Sequence, residues 1–590
     1  MNTDWDLNNI YTSVKSKEFK EDFEKYKVLI KNLNDWCREN FKSTENAGEK
    51  LEKYINMKNE IMSYEKLILY VNLAQSTDTT NEELAKAVDA LENVKAEMSY
   101  QDTAITEFVK KAGNVDDIIE ESEVLKEHRF YLNEIKEKGE YTLSAEEEAV
   151  ISRMKNTGSL LWEKQWNQLS STLTADYNGS EISLSEVRNL AYDKSQKVRK
   201  AAYEAEMKAY SKIEQPCAFC MNGIKGEVIT LAEMRGYKSP LDMTLKESRI
   251  DEKILDAMFS AVEEKLDKLQ DYFLIKSRAL GHDGPLPFYD LFAPVVKSDK
   301  VYTVEEARDF VLKCFYGFSR DLGDFAKSAF EKRWLDLMPK KGKVGGAYCE
   351  TIHSMKESRI LANFGGAFDD VITIAHELGH AFHNTRLFEL SELNSFYPMP
   401  IAETASTFCE SIVVNEALKS ADANEKINIL ENDIMGLIQC VVDIYSRFLF
   451  EDSVFNKRKE GTLSCEELSA LMLDAQKKAY GKGLDENCLH KYMWVCKPHY
   501  YDGEFNYYNF PYAFGALLSK GLYSLYKKMG KDFLPLYDKV LGASSTMPLA
   551  DVAKIAGIDI YSREFWLTGL DEIIREIDEL KKMLYTRNQE

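Results

Sequence analysis

Hydrophobic positions over the first 200 residues recur at the spacing of an α-helix, with lysine and glutamate between them. One such helical face collects Leu84, Val88, Leu91 and Met98. Ser144 followed by Glu147 has the pattern of a capping box, which predicts that a helix begins there. Because the alternation typical of strands is rare along the chain, the pattern predicts a mostly α fold of long antiparallel helices.

Stretches rich in glycine, proline or aromatic residues interrupt the helical pattern. They cover residues 281–300, 339–348, 360–368 and 498–515. The two middle stretches flank short apolar runs and predict a small β-element. We interpret residues 1–200 as a helical N-terminal lobe and residues 201–590 as the catalytic region.

Composition and charge exclude several classes of protein. Hydrophobic residues make up 44% of the chain and charged residues 29%, which is typical of a globular protein. The net charge of −22 disfavours nucleic acid and anionic membranes as partners. Because the N-terminus lacks a secretory pattern and no apolar run could span a bilayer, we expect a cytoplasmic protein without a membrane partner.

Cys217 and Cys220 form a C-x-x-C pair within a stretch that has helical character. Such a pair can be redox-active or supply half of a metal site. No second pair lies at zinc-ribbon distance, so we interpret both as helical cysteines, with redox activity left open.

The strongest chemical signal is the motif His376-Glu377-Leu378-Gly379-His380, in a predicted helix over residues 371–384. Histidines at i and i+4 share one helix face, so both imidazoles can bind one metal ion. Glu377 follows the first histidine directly, where it can take a proton from the attacking water as general base. The apolar residues before His376 favour a buried helix over a solvated one.

A catalytic zinc ion needs a third protein ligand and an open position. The downstream pattern of the metzincins would require histidine at position 386, which is Arg386 here, and His383 occupies their glycine position. A helix that starts after Pro398 and Pro400 instead offers Glu403 and Glu410 on one face. Its remaining residues are largely apolar.

We expect Glu403, nearer the start of that helix, to be the ligand. Glu410 is then predicted to hold a ligand side chain in place without binding the metal itself. His383 is interpreted as a packing residue or as a second support for the ligands.

These pieces together resemble peptidase family M3, most closely its oligoendopeptidase F branch. The resemblance is carried by Trp5 to Tyr11, Leu280 to Leu291, Gly342 to Tyr348, the helix with His376, Ala402 to Ser406, and the aromatic loop from His499 to Gly515. It implies an almost all-helical, two-lobed fold around a deep substrate channel, with the small β-element near the zinc helix. It also implies one Zn²⁺ per chain, held by His376, His380 and Glu403, and short peptides as substrates.

The aromatic loop departs from the family in one respect. Relatives often carry a Tyr-x-Tyr arrangement near its end, where this chain has Phe510. We predict that His499 and Tyr508 are catalytic and stabilise the oxyanion, and that further substrate contacts come from Tyr501, Tyr507 and Tyr512. The choice among the four tyrosines stays open at this point, and a tyrosine-rich packing layer is the alternative.

The glycine segment Gly345, Gly346 and Ala347 is predicted to bind substrate. Small residues allow a peptide backbone to approach an edge strand closely. An ordinary glycine turn is the alternative.

The sequence therefore predicts a zinc-dependent endopeptidase that hydrolyses short peptides. A zinc carboxypeptidase of similar helical fold and a non-catalytic protein that binds zinc or peptide are the alternatives. Oligomeric state, cleavage preference and the physiological substrate are left open.

Overall fold

The structure is a computed structural model that describes residues 2–296 and 300–587. It is dominated by helices. The N-terminal helices are α1 Lys17–Asn40, α2 Ala47–Met62, α3 Lys66–Thr77, α4 Glu82–Ala96, α5 Ser99–Ala112, α6 Val115–Ile119, α7 Glu123–Glu127, α8 Arg129–Glu140, α9 Ala145–Lys155 and α10 Ser159–Thr172. The middle helices are α11 Leu184–Asn189, α12 Gln196–Tyr210, α13 Glu214–Met234, α14 Pro240–Glu247, α15 Glu252–Ala279, α16 Val304–Phe318 and α17 Arg320–Glu331.

The remaining helices include the one that carries His376 and His380 and the one that follows the aromatic loop. They are α18 Phe368–Thr385, α19 Met399–Ser420, α20 Ala423–Ile438, α21 Ile444–Arg458, α22 Cys465–Tyr480, α23 Met493–Cys496, α24 Phe510–Met529, α25 Leu534–Ala543, α26 Leu549–Ile555 and α27 Arg563–Arg587. A short π-helical segment, Gln439–Asp443, joins α20 to α21. The mostly α fold is confirmed, and so is the capping box of Ser144 and Glu147 at the start of α9.

The described residues also form five short strands. The strands are β1 Thr174–Tyr177, β2 Ser180–Ser183, β3 Leu335–Asp336, β4 Tyr348–Ile352 and β5 Glu357–Leu361. The first two form a hairpin, and the others form a sheet in the order β3-β5-β4. The small β-element is therefore confirmed, and β4 lies at its edge.

Buried hydrophobic side chains of the described residues form two clusters. One draws on the N-terminal helices from Trp5 to Ile135 and includes Ile352 and Leu361 of the sheet. The other begins at Trp166 and runs to the C-terminal helix. The cores divide earlier than the predicted lobe boundary at residue 200, because α10 packs on α13 of the second core.

Helices α18, α19 and α24 pack against one another in the second core. Helix α18 starts where the Asp370 carboxylate accepts hydrogen bonds from the backbone N–H groups of Gly365 and Ala367, at 3.0 and 2.8 Å. Prolines suit the first turn of a helix, and Pro398 and Pro400 mark the start of α19. The predicted helix pair around the motif is thus formed.

Cys217 and Cys220 lie buried in α13, as two helical cysteines. Burial raises the pKa of the Cys220 thiol to about 11, which disfavours the reactive thiolate. Among the helices of the described residues, none combines the length and hydropathy that crossing a bilayer requires.

Candidate metal centre

His376 and His380 project from one face of α18 toward Glu403 on α19. Their Nε2 atoms lie 3.1 Å apart. The Glu403 Oε2 atom lies 3.3 Å from Nε2 of His376 and 3.5 Å from Nε2 of His380. The three sequence-predicted ligands therefore converge on one point.

Neighbouring side chains orient these three groups. Nδ1 of His376 donates to Glu410 Oε1 at 2.5 Å, which directs the Nε2 atom of the ring toward the cluster. The Ser406 hydroxyl donates to Glu403 Oε2 at 3.0 Å. Glu410 thus contacts His376, and its supporting role stays a prediction.

The donor set fits a zinc ion. Two imidazole nitrogens and one carboxylate oxygen within 4.8 Å of one another are typical of catalytic zinc sites, which keep a fourth position open. Within residues 2–296 and 300–587, no fourth histidine, cysteine or carboxylate joins the cluster. A structural site closed by four protein ligands is therefore disfavoured.

Electrostatics keep two ligands in the form that a metal requires. Burial lowers the pKa of His380 to about 4, so its ring is neutral near pH 7. Burial opposes ionisation of Glu403, but the hydrogen bond from His376 and the nearby His380 ring, which is charged at the low pH where Glu403 titrates, lower its pKa to about 2. A neutral imidazole and an ionised carboxylate are the metal-binding forms.

Glu377 lies beside the cluster without being part of it. Its side chain is only 5% exposed, and its Oε2 atom has no hydrogen-bond partner among the described residues. Burial raises its pKa to about 7, although the nearby His376 lowers it. A buried carboxylate with a free oxygen and a pKa near neutrality suits a general base.

His383 packs away from the ligands, although it shares their helix. Its ring stacks on Tyr397 with centroids 4.3 Å apart, and its Nε2 lies 2.8 Å from the Ser544 hydroxyl. Burial lowers its pKa to about 3, so the ring is neutral. Of the two roles considered for His383, packing is the one that these contacts describe.

The aromatic loop divides its predicted residues into two groups. His499, Tyr508 and Tyr512 cluster, with ring centroids 5.2 Å apart for His499 and Tyr508 and 5.7 Å apart for the two tyrosines. All three side chains are only partly buried. Burial raises the pKa of both phenols, and the Glu403 charge raises it further, which places both within electrostatic reach of that ligand.

Tyr501 and Tyr507 belong to the second group, and neither ring is accessible to a peptide in this conformation. Tyr501 stacks on Trp166 at 4.8 Å. Tyr507 stacks on Phe455 at 5.2 Å and donates to Asp452 Oδ1 at 3.0 Å. These two predicted substrate contacts are therefore corrected to packing residues, because their rings fill the core.

Phe510, the residue that departs from the family pattern, is also buried and begins α24. The half-buried phenols of Tyr508 and Tyr512 flank it on either side in the sequence. They are the tyrosines that remain available to the site.

The glycine segment precedes the edge strand. Gly345 and Gly346 are exposed, and Gly346 has a φ of +80°, which favours glycine. Strand β4 begins only at Tyr348, so the segment forms a turn that leads into the edge strand. Cys349 of β4 lies within electrostatic reach of Glu377, so the strand runs beside the metal-binding helix.

Two glycines matter to the site that the sequence analysis did not single out. A Cβ atom at Gly379 would lie 2.7 Å from the Ala405 carbonyl oxygen, and one at Gly515 would lie 2.9 Å from Cβ of Glu403. They let α18 and α24 approach α19 closely enough for Glu403 to reach the histidines. Glycine inside an otherwise apolar helix was the available signal.

Sequence comparison identifies this combination of elements. The pattern of Peptidase family M3 matches residues 189–572, and that of Oligopeptidase F matches residues 111–177. The chain belongs to peptidase family M3. Within this family it falls in the oligoendopeptidase F branch, so it is a metallo-oligopeptidase by family.

Individual M3 relatives match over long stretches. Oligopeptidase PepF of Bacillus subtilis is 26% identical over 595 residues, covering 98% of this chain and 87% of the relative. The chromosomal oligoendopeptidase F of Lactococcus lactis subsp. cremoris is 27% identical over 401 residues, covering 67% of this chain and 65% of the relative.

Solved structures share the M3 fold. Oligoendopeptidase-F from Enterococcus faecium superposes with a TM-score of 0.71 and 19% identity, covering 96% of this chain and 99% of that chain. A chain from Chlamydophila abortus superposes with a TM-score of 0.81 and 22% identity over 98% of each chain. At these identities the similarity establishes the fold alone.

Proposed function

We propose that the protein is a zinc-dependent endopeptidase that hydrolyses short peptides. The observation that carries this proposal is the convergence of His376, His380 and Glu403 beside the buried, unpaired oxygen of Glu377. Metal-assisted hydrolysis needs this combination of a three-ligand site and an adjacent base.

The three ligands would hold one zinc ion, which when bound supplies Lewis-acid activation of water and of the scissile carbonyl. Glu377 takes the proton of the attacking water and passes it to the leaving amine. Glu410 keeps His376 in the correct tautomer, and Ser406 keeps the Glu403 carboxylate in place.

We assign to His499 and Tyr508 hydrogen bonds to the oxyanion that forms during attack, and their clustering with Tyr512 supports this assignment. Burial lowers the pKa of His499 to about 4, so the neutral ring carries one N–H that it can donate. Its Nδ1 atom has no partner among the described residues.

The peptide is proposed to lie along the free edge of β4, entering past Gly345, Gly346 and Ala347. In the described part of the chain, β4 pairs only with β5, so its other edge can accept an extended backbone. A deep channel between the two lobes would admit unfolded peptides and exclude folded proteins, consistent with the name of the Bacillus subtilis relative, an oligopeptidase.

An internally quenched peptide blocked at both ends tests the proposal. We expect cleavage at an internal bond, loss of activity after chelation, and recovery with one equivalent of zinc. Cleavage of only unblocked peptides from the C-terminus would indicate a carboxypeptidase instead. If the protein bound zinc and peptide but hydrolysed neither the blocked nor the unblocked peptides, the non-catalytic alternative would be indicated.

A native folded protein should resist cleavage that its unfolded, short fragments undergo.

A cytoplasmic location and the lack of nucleic-acid or membrane partners stay predictions of the sequence, which cell fractionation can test.

A further inference from the structure

A cavity of about 340 Å³ lies between the segment that includes α11 and α12 and the segment that includes α21 and the start of the aromatic loop. We refer to it as the basic cavity. Its cationic side chains are Arg188, Arg199, Arg447 and Lys497, and its carboxylates are Glu206 and Asp443. The rest of its wall mixes apolar groups such as Val187 and Leu291 with polar ones such as Gln439 and His490.

Most charges of the basic cavity are already paired. Arg199 donates to Asp290 at 2.8 Å. Asp290 itself does not line the cavity. Arg447 contacts Asp443 at 2.5 Å, and Arg188 lies 3.5 Å from Glu206. These pairs neutralise three of the four cations.

Lys497 is the exception. Its ammonium has no hydrogen bond or ion pair to any part of the chain that the structure describes. Burial lowers its pKa and the charges of Arg447 and Arg188 lower it further, although Cys496 and the Asp443 carboxylate raise it. The Nε–H of Arg447 is also buried without an acceptor among the described residues. Two donor groups of the basic cavity, the Lys497 ammonium and the Arg447 Nε–H, therefore have no acceptor among the described residues, although the chain carries a net charge of −22.

The basic cavity adjoins the predicted active site. Lys497 precedes Pro498 and His499 directly in the sequence. The pKa of His499 is lowered by burial and then by the charges of Arg447 and Lys497, so this ring lies near both cations. Tyr512 lies within electrostatic reach of both Arg447 and Glu403.

We propose that the basic cavity binds a carboxylate of the peptide whose scissile bond lies at the metal centre, with the Lys497 ammonium and the Arg447 Nε–H as donors. This inference rests on the proposed peptidase function. Charge-assisted hydrogen bonds to carboxylate are among the strongest that proteins make. The apolar part of the wall leaves room for the side chain that accompanies the carboxylate.

Either the C-terminal carboxylate or an acidic side chain can supply this group. In both cases the basic cavity fixes one point of the peptide at a set distance from the catalytic groups. The enzyme would then select peptides by the spacing between the cleaved bond and a negative charge.

Binding of matched peptides to the Glu377→Gln variant tests the inference. One uncleaved sequence is prepared as the C-terminal acid, as the amide, and as amides that carry glutamate at successive positions after the scissile bond. Calorimetry should show binding about tenfold or more tighter for the acid, or for one of the glutamate peptides, than for the plain amide. Equal binding of all forms would overturn the inference.

The Lys497→Met substitution in the same background identifies the donor. Because Lys497 has no ion-pair partner in the described chain, its removal strands no buried carboxylate. We expect the ratio of the dissociation constants of the plain amide and of the preferred charged peptide to fall toward one. Lys497→Arg should restore most of this ratio. Lys491→Met, an exposed lysine close in sequence, is the matched control and should keep the preference.

Undiminished preference in Lys497→Met would contradict the assignment. A second outcome would also contradict it: inorganic phosphate binds in a way that depends on Lys497, while acid and amide peptides bind equally. The cavity would then be a site for small anions. Failure of the parent enzyme to cleave any peptide would count against the proposed function, but the binding comparison would still decide this inference.

Discussion

Gly379 lies so close to Ser406 that a Cβ atom on the glycine would stand 2.7 Å from the serine Cα. The two residues are the contact point of α18 and α19, the helices that carry the histidines and Glu403. Because the obstacle is backbone, a side chain at position 379 would have to push the helices apart.

We therefore expect Gly379→Ala to weaken zinc binding and to destabilise the fold by about 1–3 kcal/mol, the usual cost of overpacking. Competition with a zinc chelator measures the first effect, and urea unfolding measures the second. Gly436→Ala is the matched control, since Gly436 lies exposed in α20 with open space around its Cβ position. It should be neutral or stabilising, and equal behaviour of the two variants would contradict the close-packing argument.

Glu403 and Glu410 are separated by two turns of α19 and should differ in kind. Glu403→Ala removes a ligand and should abolish stoichiometric zinc binding. Glu410→Ala removes only the acceptor of the His376 Nδ1–H, so zinc affinity should fall about 10–100-fold while one zinc still binds at saturation. Glu416→Ala on the same helix, where the carboxylate pairs with Lys419, is the control. If Glu410→Ala abolished zinc binding and Glu403→Ala only weakened it, Glu410 would be the ligand and Glu403 its support.

Glu377→Gln keeps the size of the side chain and removes the basic oxygen. Zinc content should stay at one per chain, while kcat should fall by about 10²–10⁴-fold or more. Metal analysis and steady-state kinetics on a quenched peptide give both quantities. Normal turnover with full zinc would show that another group accepts the proton.

Helical periodicity explains why the convergence of His376, His380 and Glu403 could be predicted from the sequence. His376 and His380 need only the i, i+4 spacing, and Glu403 follows from a helix that starts after two prolines. By contrast, Gly379 and Ser406 acquire their importance from the contact between two helices. Nothing in the local sequence specifies which glycine or serine will occupy such a contact.

The aromatic loop shows where periodicity fails. Tyr507 has a φ of +53°, which turns the backbone in a way that no regular pattern anticipates. As a result Tyr507 is buried while the next residue, Tyr508, is half-exposed beside His499. The lobe boundary failed to match the core division for a related reason, since α10 resembles its neighbours in sequence but packs on the second core.

The clustered phenols should differ from the buried ones in kinetics. Tyr508→Phe and Tyr512→Phe remove single hydroxyls within electrostatic reach of Glu403, and His499→Ala removes the imidazole that packs near both. For the residue that stabilises the oxyanion, kcat should fall about 10²–10³-fold with little change in KM. Tyr501→Phe is the control, because its hydroxyl is buried and should leave kcat within a few-fold. If all of these variants kept parental kcat, the loop would serve packing alone.

Lys225 and Glu451 form a buried ion pair that holds the aromatic loop in place. The ammonium lies 2.7 Å from Glu451 Oε1 and 2.9 Å from Asn506 Oδ1, and the side chains of the pair are 0% and 1% exposed. Glu451 Oε2 in turn accepts from the Asn509 side chain at 2.8 Å, at the N-terminus of α24. This network fixes the segment on which Tyr508 stands.

Lys225→Met would leave the Glu451 carboxylate buried without its cation. We expect unfolding in urea to show a loss of about 3–5 kcal/mol, and kcat to fall as the loop loosens. The double variant Lys225→Met/Glu451→Gln removes the stranded charge and keeps an acceptor for Asn509, so it should recover much of the lost stability. If the double variant were as unstable as the sum of its single variants, the two residues would act independently. The ion pair would then have no part in holding the loop.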